Sequence, residues 1–548
     1  MLKIIYFMKA NSSKLTFLIF GVIFFVLYSY LAFNTAVSWT GSPKLIQNSP
    51  DETANLYFSH LFSQSGRLAF TEPANQIAVD LVAPRSMRVI GGQTAPAGFL
   101  GLPIIYGSLA KIAGAGAMPF FTPLLAILAL GFFYFLIKEL FNEKIAFLSA
   151  AFAFIFPGWW YYAARGMLPN VAFLSFFIIA FYFFIRLLKQ PKIFYYLLFG
   201  FFLALSLMVR TSEIVWTLPL LLILTLLNFK KINWLRFGLS VLLFIICFFP
   251  VFYYNFQIYG SPLSIGYGLT RDFSGQNLVQ QGLNLSQKIL LPFGFNPGLA
   301  LKNFYNYTAG IFPLWTLLFG LGLLISILYR KLIKPDKRKT FYLYLLLLIF
   351  FGGYLVIYYG SWSFHDHPDP AAVTIGTSYI RYWLPLYLFS LPLLAIVLDF
   401  CFQKKKNLNR LLTVYIWLAL FFTSYQLAVL DPSEGILQVQ KNIAGYQSLA
   451  ADVIKRTPEN AVIIAERMDK VFWPARSVIY ALNRDYDYVR IKELITNGWP
   501  VYWFSFTLTD ESRNLINQNS YAKFGLRAEK SVLDFNNQSL YPINIITN

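Results

Sequence analysis

Two adjacent carboxylates, Asp51 and Glu52, stand in SPDETANLYFSHL, shortly after the first long apolar run. A carboxylate at a membrane surface can take the proton of an acceptor hydroxyl or amine as a general base. The same residues also read as a helix start, because Ser49, Asp51 and Glu52 are favourable beside the positive end of a helix dipole, ahead of an apolar stripe of Leu56, Phe58 and Leu61. Arg381, in SYIRYWLP, lies at the end of an otherwise uncharged apolar segment. A guanidinium there is costly without a partner, and its planar fork matches phosphate oxygens. It could equally snorkel to headgroups within an aromatic belt of Tyr379, Tyr382 and Trp383. Arg165 in YYAARGMLPNVAF and Arg210 in LMVRTSE occupy similar segment ends, and a phosphorylated lipid would account for all three. Arg85 and Arg88 either add to the same site or are simply solvated. His365, Asp366, His367 and Asp369 crowd SWSFHDHPDP, with two of the chain's 3 histidines. Such a loop could bind a divalent metal or a sugar, but its spacing fits no specific metal motif, and a hydrogen-bonded polar loop explains it more simply. His60 reads as structural.

The elements that must hold these residues are set by composition. The 548 residues are 57% hydrophobic and 13% charged, which a soluble chain of this length would not tolerate. The net charge of +20 does not point to nucleic acid, since the Lys and Arg sit in short clusters between apolar spans. Cys247 and Cys401 lie within or at the end of apolar segments, so no disulfide framework or thiolate metal site is expected. The first apolar run, Leu15 to Phe33, follows Lys3, Lys9 and Lys14 without a clean cleavage site. It reads as a retained span with a cytoplasmic amino terminus.

Taking about 20 apolar residues per crossing, the pattern predicts about 11 spans: 15–34, 119–138, 145–163, 168–187, 193–210, 212–229, 236–254, 308–328, 341–360, 379–399 and 411–430. Basic residues then alternate as the positive-inside rule requires. The predicted inner connections hold Lys138 and Lys144; Arg186, Lys189 and Lys192; Lys230, Lys231 and Arg236; Arg330, Lys331, Lys334, Lys337, Arg338 and Lys339; and Lys404, Lys405, Lys406 and Arg410. Three outer connections stand out: 34–118, 256–307 and 361–378. The first contains an apolar stretch, 97–113, too short to span and expected to lie along the interface or re-enter. These expectations give a polytopic α-helical membrane domain over 1–430 and a small extracytoplasmic α/β domain over 431–548. In the latter, 444–455, 491–496 and 510–517 read as helices, and 461–465 and 501–506 as strands. Its aromatic residues Trp473, Trp499, Tyr502 and Trp503 suit either sugar stacking or a core. There is no phosphate-binding glycine motif, zinc spacing or internal repeat.

In order and layout these features resemble the GT-C superfamily of membrane glycosyltransferases, in the bacterial branch related to protein O-mannosyltransferases and to the aminoarabinose transferases of lipid A. The acidic pair opens the first outer loop. APAGFLGLPIIYGSLAKIAG resembles the family's Pro-rich stretch before the second span, and ARGMLPN occupies the place of an Arg followed by Pro-Asp. YNFQIYGSPLSIGYG and IRYWLP look like the outer segment after the seventh span and the late Arg-Tyr stretch. The resemblance covers the first 430 residues or so. Asn170 stands where many relatives carry Asp, and Gln93 and Thr94 stand where a basic residue is frequent.

The resemblance implies a polyprenyl-phosphate sugar donor, an extracytoplasmic glycan, lipid or protein acceptor, and inverting displacement in the plasma (inner) membrane. Asp51 would be the base, Glu52 would position the acceptor or share that role, and Arg381, helped by Arg165 or Arg210, would hold the departing phosphate. Without the second carboxylate, it implies a metal-independent route and no cofactor. Two other classes fit a polytopic chain: an O-antigen ligase or polymerase, and a transporter or lipid flippase. The ligase class would be marked by a larger central outer loop with paired arginines, and a transporter by mid-span ionisable sites in related halves.

Overall fold

The computed structural model describes residues 12–36, 46–266, 289–328, 337–401, 406–482 and 484–546. Several sequence expectations lie outside these residues: Lys3 and Lys9, the stretch 267–288 of the second long connection, Arg330, Lys331 and Lys334, and Lys404 and Lys405. The chain divides into two units: Met1–Phe33, Pro119–Phe249 and Thr270–Gln438 form one, and Asn34–Met118, Pro250–Leu269 and Val439–Asn548 form the other. Residues 34–118, read from the sequence as a loop of the membrane domain, thus group with 439–548.

Apolar helices build the first unit, and the chain also runs through straight helices long enough to cross a bilayer at Leu15–Thr35, Ala115–Leu140, Pro169–Lys189, Trp234–Tyr259, Arg338–Gly360 and Leu411–Leu430. Three further pairs are bent. Glu143–Ile155 and Pro157–Ala164 meet at 54°, where Pro157 forces Phe156 into extended backbone. Ile193–Val209 and Thr211–Leu227 meet at 118°, and Pro297–Gly310 and Pro313–Leu328 at 104°. The described residues therefore hold 6 to 9 candidate crossings, against the 11 expected. The predicted spans 193–210 and 212–229 are the arms of one sharply bent pair, broken at the polar run Arg210–Glu213. The predicted span 379–399 is a shorter apolar helix, Leu384–Phe400, preceded by the short helix Ser378–Tyr382.

Basic residues from two predicted inner connections meet at Glu139, which lies on a third. Its carboxylate accepts from Arg186 and Lys189, both at 2.6 Å, and its carbonyl from Lys337 at 3.1 Å. These three connections thus share one end of the bundle. The helices Pro169–Lys189 and Ile193–Val209 form a tight hairpin in which Ser206 Oγ donates to the Phe173 carbonyl at 3.2 Å.

The second unit contains every described strand. β1 (Phe70–Thr71), β2 (Met87–Ile90) and β3 (Gln93–Pro96) form a small antiparallel sheet in the order β1-β3-β2. The larger sheet contains β4 (Val462–Ala465), β5 (Ser477–Ile479), β6 (Val501–Phe506), β7 (Leu526–Ala528), β8 (Leu533–Phe535) and β9 (Gln538–Ile545). Its order is β5-β4-β6-β9-β7 with β8 on β9, and β4 runs parallel to both β5 and β6. The expected strand at 501–506 and helices near 491–496 and 510–517 are present. The hairpin strands of the last 25 residues were not foreseen.

This sheet does not close its core with its own residues. Ala74, Ala78, Leu81 and Val82, from the first long connection, pack with Val462, Ile464, Ile479, Leu494 and Val501. Burying apolar surface is the main gain available to so small a layer. Asn75 fixes the entering loop by exchanging two 2.8 Å hydrogen bonds with the Val82 backbone.

Candidate functional site

The acidic pair begins the helix Pro50–Ser65 of the second unit. Ser49 caps it, and its hydroxyl accepts from the Asp51 N–H. The Glu52 carboxylate accepts from the Ser49 N–H at 3.1 Å, which completes a capping box. Pro50 at the first turn and Gly66 at φ 68 past the end bound the helix. Glu52 is buried, whereas Asp51 is half-buried, and its Oδ1 accepts from Ser86 Oγ at 2.6 Å. The two readings of this segment coincide: it is a helix start, and it presents one carboxylate whose partner is a hydroxyl from a different element.

The helix Gly101–Ala113 packs across this one at Gly107, where a Cβ would lie 2.7 Å from the Ser59 carbonyl and 2.8 Å from Phe62 Cβ. From the segment 250–266, Tyr254 donates to the Gly66 carbonyl at 2.8 Å and Tyr259 to the Pro96 carbonyl at 2.6 Å. Trp473, offered by the sequence for either stacking or core, is buried with its ring 4.4 Å from that of Tyr57.

The arginines belong to the first unit. Arg210 ends its helix at the 118° bend and is buried there. Its Nε donates to Glu213 Oε1 at 2.9 Å, and its Nη2 to Tyr359 Oη at 3.1 Å. Tyr359 in turn donates to Glu213 Oε1 at 2.6 Å, and Trp216 Nε1 donates to Glu213 Oε2 at 2.5 Å. The Tyr382 ring stacks on Tyr359 with centroids 4.4 Å apart, and it receives the guanidinium of Arg210 at 4.9 Å and that of Arg381 at 5.1 Å. Two like charges thus approach one aromatic ring, and a buried carboxylate compensates one of them. Arg381 Nη2 also donates to Ser378 Oγ at 2.8 Å. Arg165 is buried beside Tyr161, to whose hydroxyl it donates at 2.9 Å. Tyr162 lies within electrostatic reach of Arg165, Arg381 and Asp366.

The polar loop 361–378 is organised from within. Asp366 Oδ2 accepts the Ser378 N–H at 2.7 Å, so it caps the short helix that carries Arg381. Asp369 closes a local turn onto the Ala371 N–H at 2.9 Å, and His367 Nδ1 accepts the Asp369 N–H at 3.0 Å. Tyr162 donates to the Ile375 carbonyl at 3.0 Å, and Glu434 accepts from Thr374. His365 is exposed. Among the described residues no three His, Cys, Asp or Glu side chains gather as a metal-binding group. Asn170 Oδ1 is buried with no hydrogen-bond partner among the described residues.

A small apolar cavity of about 80 Å³, open at one side, lies among the helices of this unit, with Phe181, Trp216, Tyr344, Phe351, Leu355 and Phe389 in its wall. Trp216 is shared, since its ring lines the cavity and its N–H holds Glu213. Sequence reasoning singled out Arg210 and Arg381 but missed Glu213, Tyr359 and Ser86. Only Glu213 left a signal, standing three residues beyond Arg210 in an apolar context.

Residues 104–254 match the family model of dolichyl-phosphate-mannose-protein mannosyltransferases. Comparison with curated proteins finds no match. Among solved structures, the chain is similar to the apo oligosaccharyltransferase of Archaeoglobus fulgidus, with 11% identity and a TM-score of 0.53 over 89% of this chain and 69% of that one. It is also similar to apo ArnT from Cupriavidus metallidurans, with 11% identity and a TM-score of 0.52 over 96% of this chain and 98% of that one. At such identity the likeness is one of fold. The chain thus resembles GT-C superfamily membrane glycosyltransferases, in sequence over 104–254 and in fold over most of its length.

Proposed function

We propose that this protein transfers a sugar from a polyprenyl-phosphate donor to an extracytoplasmic acceptor glycan, lipid or protein. The observation that carries this reading is the junction, through Trp216 and Glu213, of an apolar cavity with the Arg210–Tyr382–Arg381 cluster. Such a junction suits a ligand with an isoprenoid tail and a phosphate head. The anomeric carbon of such a donor already carries its leaving group, so the protein's task is to orient, to deprotonate and to stabilise charge. Asp51 is the base, taking the acceptor proton as its oxygen displaces the phosphate with inversion. Glu52, committed to the capping box, holds the Asp51 turn in place. Arg381, helped by Arg165, meets the charge that develops on the departing phosphate. Arg210, compensated by Glu213, fixes the Tyr382 face against which Arg381 rests.

In this reading the bent pairs, with the two arms of the 118° pair each crossing once, and the short helix Leu384–Phe400 complete 11 crossings in the plasma (inner) membrane, with a cytoplasmic amino terminus. The residues after about 430 are extracytoplasmic. Asn170, in place of a carboxylate, favours a route independent of metal.

The test is incubation of the purified protein in lipid nanodiscs with a panel of polyprenyl-phosphate sugars and an extract of candidate acceptors, reading released polyprenyl phosphate by mass spectrometry. Asp51→Asn should abolish release while donor binding persists, and Arg381→Ala should weaken both. Release undiminished in Asp51→Asn would remove the base assignment, and no release from any donor would overturn the reading.

A further inference from the structure

The Asp51 carboxylate is held from a distant part of the chain. Ser86, whose hydroxyl donates to it at 2.6 Å, sits at φ 61, a left-handed conformation that serine adopts only when its neighbours enforce it. The enforcing neighbour is Arg85. Its N–H donates to Asp469 Oδ2 at 2.7 Å, its Nε and Nη2 donate to Asp469 Oδ1 at 2.9 and 2.8 Å, and Nη2 also reaches the Arg467 carbonyl at 2.8 Å. Asp469 is fully buried, so this is a desolvated, charge-assisted clamp. Arg467, on its far side, is also left-handed, at φ 59. Two strained residues flank one ion pair. On the other side of Ser86, its carbonyl accepts from the Ala97 N–H at 3.0 Å and Met87 enters β2.

We infer that Asp469, acting through Arg85 and Ser86, is a positioning residue for the Asp51 carboxylate, so that the segment 439–548 sets the geometry of the base. The inference rests on the reading of Asp51 as that base. A clamp that only tied two segments together would need neither the backbone N–H of Arg85 nor the left-handed turn that aims the Ser86 hydroxyl. Ser86→Gly keeps that turn without strain and deletes the hydroxyl, whereas Ser86→Asn keeps both a left-handed preference and a donor.

The experiment uses the full chain in nanodiscs with the transfer assay above, resolving kcat from the donor and acceptor KM. Losing one hydrogen bond to a charged group predicts that Ser86→Gly lowers kcat about tenfold with both KM values unchanged. Ser86→Asn should recover most of the loss. Asp469→Asn should lower kcat in the same sense, and Ser86→Gly with Asp469→Asn should fall no further than the worse single variant, because both act on one hydrogen bond. Wild-type kcat in Ser86→Gly, an Asn variant as impaired as the Gly one, or multiplicative losses in the double variant would each overturn the inference. Should Asp469→Asn fail to fold, the half-buried Ser86 carries the test alone. Asp51→Asn, run alongside, separates the two readings. If it is active the base assignment falls and takes the positioning role with it, whereas an inactive Asp51→Asn beside a wild-type Ser86→Gly removes only the positioning role.

Discussion

Glu213→Gln changes one atom's chemistry and keeps the side chain's shape, yet it should be among the most damaging single substitutions in the bundle. The side chains of Arg210 and Glu213 are 8% and 3% exposed, and they pair at 2.9 Å. Removing the carboxylate charge leaves a buried guanidinium uncompensated, which typically costs about 3–5 kcal/mol. The amide also cannot accept at both oxygen positions, so either the Trp216 N–H or the Arg210 and Tyr359 donors lose their acceptor, a loss of about 1–3 kcal/mol contained within that range. The compensating variant, Arg210→Met with Glu213→Gln, removes both charges and should lose less than Glu213→Gln alone. The assay is thermal unfolding of the purified protein in detergent, followed by tryptophan fluorescence. A Glu213→Gln midpoint equal to wild type, or a double variant that loses the sum of its two singles, would refute the view that these residues form one buried pair.

Two further outcomes follow from the second unit. Gly107→Ala places a Cβ against the Ser59 carbonyl, a backbone atom that cannot turn aside, and should destabilise the packing of Gly101–Ala113 on Pro50–Ser65 by about 1–3 kcal/mol; limited proteolysis should show faster cleavage within 50–65. Burial raises the pKa of the Glu72 carboxyl, against the hydrogen bond that Ser477 donates to it. The folded state therefore binds this proton more tightly than the unfolded chain, so its contribution favours folding at low pH and is lost as pH rises from 4.5 through the raised value. Glu72→Gln should flatten that part of the stability–pH curve, measured by thermal unfolding across the range.

What the sequence disclosed and what it hid divide along separation in the chain. The helix start at Asp51 and Glu52 was legible because Ser49, Pro50 and the two acids lie within four consecutive positions and follow capping rules. The strand at 501–506 was legible from its aromatic and β-branched residues. The break between 193–210 and 212–229 was visible as a polar interruption, but nothing local fixes the 118° through which the chain turns there. Tyr382 looked like part of an ordinary aromatic belt and Tyr359 drew no notice, because only tertiary packing brings them to Arg210. Asp469 and Arg85 are 384 positions apart, each unremarkable in its own neighbourhood, and no periodicity or spacing links them. The short strands β7 to β9 carry weak patterns and are held by pairing with β9, which a local reading does not see.

The interleaving of the second unit also has a consequence during biosynthesis. Ala74, Ala78, Leu81 and Val82 emerge early, but the strands that cover them come from residues after 460. With elongation at about 5–20 residues per second, the 384 positions between Arg85 and Asp469 correspond to a delay of roughly 20–80 s. During that interval the segment carrying Ala74 to Val82 is an uncovered, partly apolar strap that must be kept from aggregating while the rest of the chain is made. Its maturation is therefore set by the ribosome reaching the strands after residue 460, and folding factors that act on nascent chains are expected to bind it before then.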